Sequence, residues 1–265
     1  MALPAHIARD LRSALRSFRA KNSPMTVPTS AGRALEAWLM MSLARAAQRS
    51  GRWSVTLRQG DGSQLPLGAT FNFPTYQSGI LPSNPTGPSF VQLDRAVPGV
   101  DTLALELHGS LQWKGRSGAT HEIDVSLLPQ SIAQPLRAHG GHPRGLPIAG
   151  YECKDKIGAA STDEMRETIA RLFDLALVTR PYPGWDCRMF AATSPHVRWG
   201  RRQSIYRAFF ATGAYGVVRA GGFSRGARNL GRHYHVRRHE GIYGPGAIAA
   251  VEARFLQVLD DVDNI

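Results

Sequence analysis

At 265 residues with 43% hydrophobic content, the chain is long enough for one large domain, or a domain with an extension, around a sizeable core. No stretch reaches the roughly 18 consecutive apolar residues of a membrane span, no apolar leader opens the chain, and the two cysteines, Cys153 and Cys187, make neither a disulfide framework nor zinc-site spacing. A cytoplasmic, reducing setting without membrane contact is therefore expected. The formal net charge is +12, and 28 of the 32 basic residues are arginine, whose planar fork matches pairs of phosphate oxygens, so a polyanion is the expected partner.

In chain order, residues 5–19 place Ile7, Leu11, Leu15 and Phe18 at helical spacing with Arg9, Arg12, Arg16 and Arg19 on the other faces, a basic amphipathic helix. "NSPMTVPTS" (22–30) reads as a linker, and Leu35, Trp38, Leu39, Leu43 and Ala46 mark a second helix ending near Gly51, on which Glu36 is the only acid. "RWSVTLR" (52–58) alternates as a strand does, whereas residues 65–90, rich in Pro, Gly, Ser and Asn, read as a long excursion. "TLALELHGSLQWK" (102–114) and "THEIDVSLLP" (120–129), joined across "GRSG", predict a hairpin. Residues 130–147 are expected to form a loop, followed by a third strand in "LPIAGYECKDK" (146–156). The next helix opens on a capping box, Ser161 with Glu164, and presents Met165, Ile169, Leu172, Phe173 and Ala176 as its apolar face. "CRMFAATS" (187–194) predicts a fourth strand.

Charge is concentrated near the C-terminal end. Residues 196–240 hold ten arginines against the single acid Glu240, a net of +9, interleaved with Trp199, Tyr206, Phe209, Tyr215 and Tyr234. Arginines that grip phosphates beside aromatic rings that stack on bases are the mixture expected of a nucleic-acid surface. Arg198, Arg201, Arg202, Arg237 and Arg238 are the candidate contacts, with Lys156 from the third strand.

Chemistry is suggested by the strands themselves. Alternation puts Glu152, Lys154 and Lys156 on one face of their strand, and Glu122 and Asp124 on one face of the preceding one. If the two strands pair, Asp124 and Glu152 converge. Two close carboxylates repel unless a cation joins them, and hard oxygen ligands suit magnesium, with manganese as a substitute. Other constellations are weaker: His139 with His142, and His233, His235 and His239, lack the cysteines or acids of a recognisable zinc site, and no phosphate-binding loop, dinucleotide fingerprint or hydrolase elbow occurs.

An acid ending one strand, E-x-K on the next, and the order helix, three strands, helix, strand resembles the PD-(D/E)XK nucleases, the restriction-endonuclease-like fold. The resemblance covers roughly residues 29–195 and implies an α/β (α+β) architecture with a central mixed sheet flanked by helices. Residues 1–28 would then be an N-terminal helix and linker, and 196–265 a basic C-terminal extension packed on the core. Asp124 matches the motif aspartate, Glu152 the second acid and Lys154 the lysine, while Glu36 sits where many members carry a further acid; Ile123 stands where the motif has proline. The resemblance implies that Asp124, Glu152, the main-chain carbonyl of Cys153 and Glu36 hold magnesium, and that Lys154 orients the attacking water or stabilises charge on the phosphate. The implied activity is metal-dependent hydrolysis of DNA phosphodiester bonds in restriction, phage defence or repair, by a homodimer or a subunit of a defence complex. The alternatives are an RNA-directed nuclease, a non-catalytic nucleic-acid-binding module of the same fold, or an assembly subunit that uses its basic aromatic segment to bind another macromolecule. Taken singly, a charged strand end and a turn-capping aspartate are ordinary structural features.

Overall fold

The structure is a computed structural model that describes residues 4–18, 31–95, 102–176 and 214–262. Its centre is a seven-stranded mixed sheet in the simple order β1 to β7, which makes the chain an α/β protein. The strands are β1 (Ser54–Arg58), β2 (Phe90–Arg95), β3 (Leu103–Lys114), β4 (Thr120–Pro129), β5 (Ala149–Lys154), β6 (Ala214–Arg219) and β7 (Arg237–His239). Strands β1 to β5 pair antiparallel, and β5, β6 and β7 run parallel.

Helix α1 (Ala5–Ser17) buries Ile7, Leu11 and Leu15, so the apolar stripe of this basic helix is used for docking. It lies on α2 (Ala31–Arg49), where Asp10 accepts a bond from Trp38 Nε1 at 2.8 Å and pairs with Arg45 at 2.8 Å. The hairpin falls where alternation placed it. Gly115 N–H donates to the Ala119 carbonyl, Gly118 takes φ +90°, and Asp174 accepts from the Ser117 N–H and hydroxyl, tying the turn to a helix. That helix, α4 (Thr162–Ala176), opens as its capping signal requires, with Ser161 Oγ accepting from the Glu164 N–H at 3.1 Å, and it buries Met165, Ile169 and Leu172.

Three expectations need correction. Residues 130–147 do not form a simple loop: Gln130–His139 is a helix, α3, despite Pro135. Its buried face of Ile132, Ala133 and Leu136, and the ion pair of Arg137 with Glu106 on β3, outweigh the one hydrogen bond that proline forfeits. The excursion of 65–90 ends in β2, whose "FVQLDR" was hidden behind its Pro-rich approach. The sheet also continues past the boundary expected at residue 195. "AYGVVR" is a fully buried strand, β6, beside β5, and α5 (Arg225–His233), β7 and α6 (Ala247–Asp261) follow it. Its apolar run was overshadowed by the arginines around it. The strand expected at 187–194 lies outside the described residues. No helix among the described residues is long and apolar enough to cross a membrane.

Candidate functional site

The site forms where β4 and β5 part. Their ladder pairs Leu127 with Ala149, Ser126 with Gly150 and Val125 with Tyr151, and stops there. The next positions in that register are Asp124 and Glu152. Freed from the ladder, the Cys153 N–H finds an acceptor in Asp124 Oδ2 at 2.6 Å. Asp124 therefore sits inside β4 and not at its end, but it occupies the point at which pairing with β5 gives way. Lys154 closes the cluster: its Nζ lies 3.2 Å from Glu152 Oε2 and 4.0 Å from Asp124 Oδ2. Asp124 and Glu152 are 6% and 4% exposed, so two carboxylates are held together almost out of water.

Glu36 reaches the same cluster from α2. Ser110 of β3 lies opposite Asp124, between the pairs Gly109 with Val125 and Leu111 with Ile123, and it adopts φ +46°, a left-handed conformation rare for a residue with a side chain. Its hydroxyl donates to Glu36 Oε2 at 2.6 Å. Arg33, one turn before Glu36, bonds Glu36 at 3.0 Å and Glu122 at 3.1 Å and also touches Ser110. A strained backbone that aims a hydroxyl at a half-buried acid is the kind of local cost that functional sites carry.

Electrostatics follow from this crowding. Burial, then the neighbouring Glu152 and Glu36, hold the Asp124 carboxyl well above the usual carboxylate range. Burial pushes Glu36 up to about 7 against the opposing pull of Ser110 and Arg33. Burial works against the Lys154 ammonium, but Glu152 and Asp124 outweigh it and keep the lysine protonated. The Cys153 thiol is buried among acids and pushed well up, so it stays protonated and is no nucleophile.

Glu36 and Asp124 both bind protons more tightly in the folded chain than unfolded, so metal-free stability should fall as pH rises from about 4.5 through about 7. The expected result is a higher thermal midpoint at about pH 6 than at about pH 8, with Glu36→Gln flattening part of the slope. An unchanged slope in Glu36→Gln would remove Glu36 from the cluster's titration.

Other expected site residues lie apart from this centre. The Lys156 side chain is 65% exposed and pairs with Glu164 at 3.5 Å. Arg237 and Arg238 stand on β7, with β6 between them and β5, and Arg238 donates to the Arg228 carbonyl at 2.9 Å. Arg219, inside the arginine-rich segment, is buried and bonded to Glu164 and to the Gly158 carbonyl, so it braces the fold and cannot meet a phosphate. Arg198, Arg201 and Arg202 lie outside the described residues. His239 is half-buried, and burial followed by Arg237 pushes it down to about 4, which fits a neutral ring.

One residue at the centre had no signal in sequence. Arg171, on α4, donates from Nη1 to both Glu152 oxygens at 3.0 Å each. Nothing in the residues before it says which arginine of a helix will face the sheet. Arg33 was also missed, although a signal existed: it stands one helical turn before Glu36.

Among the described residues no group of three or more His, Cys, Asp and Glu is arranged to hold a metal. What the centre offers is two adjacent buried carboxylates with a third, Glu36, in electrostatic contact. That set suits an ion that takes few protein ligands and keeps several waters, as magnesium does, and not one that demands a closed cage. Comparison with protein-family models, with curated proteins and with solved structures found no match.

Proposed function

We propose that the protein is a metal-dependent nuclease with a restriction-endonuclease-like core, hydrolysing phosphodiester bonds of nucleic acid, with DNA as the first substrate to test. The observation that carries the reading is the meeting of Asp124, Glu152 and Lys154 where β4 and β5 part. The succession α2, β3, β4, β5, α4, β6, with an antiparallel trio and then a parallel strand, supports the assignment of the core. The net charge of +12 supports a polyanionic substrate.

Asp124 and Glu152 would hold the ion, with Glu36 and the Cys153 carbonyl completing its surroundings. When bound, magnesium supplies Lewis acidity to the scissile phosphate and a water acidified for attack. Hydrolysis would add water across a P–O bond: the water oxygen bonds phosphorus as the P–O bond to the sugar breaks, and the departing sugar oxygen takes up the proton that water gives up. Lys154 contributes a fixed positive charge. Its ammonium is held by the carboxylates within the site and can donate to a phosphate oxygen as negative charge builds there. The Ser110 and Arg33 bonds fix where the Glu36 carboxylate points.

Purified protein should cut DNA in magnesium or manganese and leave it intact in chelator. Calcium should support binding without cleavage, because its looser coordination activates water poorly. Glu152→Ala should lose cation binding and cleavage together. Nucleic-acid binding without cleavage of either DNA or RNA in any of these metals would overturn the enzymatic reading in favour of a non-catalytic module.

A further inference from the structure

Among the described residues, two Arg–Glu contacts on buried glutamates differ in construction. Arg137 meets Glu106 with Nη1 on one oxygen, at 2.7 Å, and Nη2 on the other, and the two side chains are 7% and 0% exposed. The guanidinium also lies 4.7 Å from the centroid of the Phe90 ring. This is a fork-on-fork strut almost closed to solvent, with His108 Nε2 also 2.9 Å from Glu106 Oε2. Arg171 meets Glu152 differently. A single nitrogen, Nη1, serves both oxygens, and the arginine side chain is 34% exposed although its partner is 5% exposed. The contact is a clasp reached from outside, made with part of the fork.

Glu152 thus holds two cationic side chains, Arg171 and Lys154, in the position where the proposed nuclease would hold its divalent ion. One carboxylate cannot keep the arginine and a divalent ion equally close, because the two positive charges would repel within a few ångströms. Resting on the nuclease reading, we infer that Arg171 is a positioning residue that exchanges partners: it neutralises Glu152 in the metal-free protein and turns to the substrate phosphate when a divalent cation takes the carboxylate. Its guanidinium is suited to the second role, since it is permanently charged and presents paired donors to phosphate oxygens. The exchange makes cation binding and nucleic-acid binding mutually reinforcing, and linkage requires the same factor in both directions.

Calcium and a duplex oligonucleotide test this without cleavage. For the wild type, saturating calcium should tighten the duplex, measured by fluorescence anisotropy, on the order of 10-fold. In Arg171→Ala, calorimetric titration without nucleic acid should show calcium binding tighter by about 3-fold or more, since a competitor has gone, while the tightening of the duplex by calcium falls to about 2-fold or less. Arg171→Lys keeps a competing charge but not the fork, so it should bind calcium as the wild type does and still lose most of the coupling. That variant carries the test if the alanine protein does not fold. Weaker calcium binding in Arg171→Ala, or coupling preserved in both variants, would overturn the exchange and leave Arg171 as a prop for Glu152. If Glu152→Gln abolishes calcium binding while Arg171→Ala behaves as the wild type, the inference fails alone. If the wild type binds no calcium, the inference and the metal site fail together.

Discussion

If the protein is the proposed nuclease, replacing Lys154 with alanine is expected to lower single-turnover cleavage by about 10²–10³-fold, the usual cost of removing one preorganised donor from a site where charge develops. The same variant should keep its divalent cation. Lys154 is not a ligand; its Nζ lies against the two carboxylates, 3.2 Å from Glu152 and 4.0 Å from Asp124, and so competes with a cation for them. Calcium affinity in Lys154→Ala should therefore equal or exceed that of the wild type, while Glu152→Ala loses it. This split separates a charge-stabilising role from a scaffolding one. A lysine that merely held the carboxylates apart would take cation binding down with activity when removed. Full activity in Lys154→Ala would end the assignment of any chemical role to this residue.

The parts of the fold that could be read in the sequence are those in which local signal and tertiary contact agree. Period-two alternation around "GRSG" marked β3 and β4, and Ser161 marked the start of α4 by the bond it makes to Glu164. The opposition of Asp124 and Glu152 followed from the same alternation, because side-chain facing in paired strands is fixed once the register is. The ending of that ladder at Val125 and Tyr151 could not be read, since strand separation depends on the surrounding elements. Where local and tertiary terms conflict, sequence reasoning went astray. Pro135 speaks against a helix that the Arg137–Glu106 pair and a buried apolar face nevertheless hold. The arginines of residues 196–240 suggested surface, yet Arg219 is a buried brace on a strand of the central sheet. Ser110 and Arg171 illustrate a third limit. A serine within a strand and an arginine on a helix are unremarkable until the fold brings one to Glu36 and the other to Glu152.

Removing the strut should have the largest effect on stability. Arg137→Ala leaves Glu106, which is completely buried, without the fork that holds both of its oxygens. Breaking a buried pair from one side costs about 3–5 kcal/mol, because the remaining charge keeps its desolvation penalty and loses its compensation. Exchanging both partners, as in Glu106→Leu with Arg137→Met, removes the stranded carboxylate and should cost less than Arg137→Ala alone, although the contact of His108 with Glu106 goes with it. The pH dependence identifies the cause. Burial alone would raise the Glu106 pKa, but bonds from Arg137 and then His108 outweigh it and hold the carboxyl below its ordinary value of 4.5. The pair's contribution is therefore complete above about pH 4.5 and is lost only as pH falls through the lower folded value. Without Arg137 only His108 still opposes burial, so the folded-state pKa of Glu106 is expected to rise above its unfolded value, and acidification toward about pH 5 should relieve the variant. Denaturant unfolding of both proteins should thus show a gap that narrows as pH is lowered from about 7 to about 5, whatever other carboxylates do, since those are common to both. A gap that stays constant over this range would mean that the loss comes from packing against Phe90 and not from a stranded carboxylate.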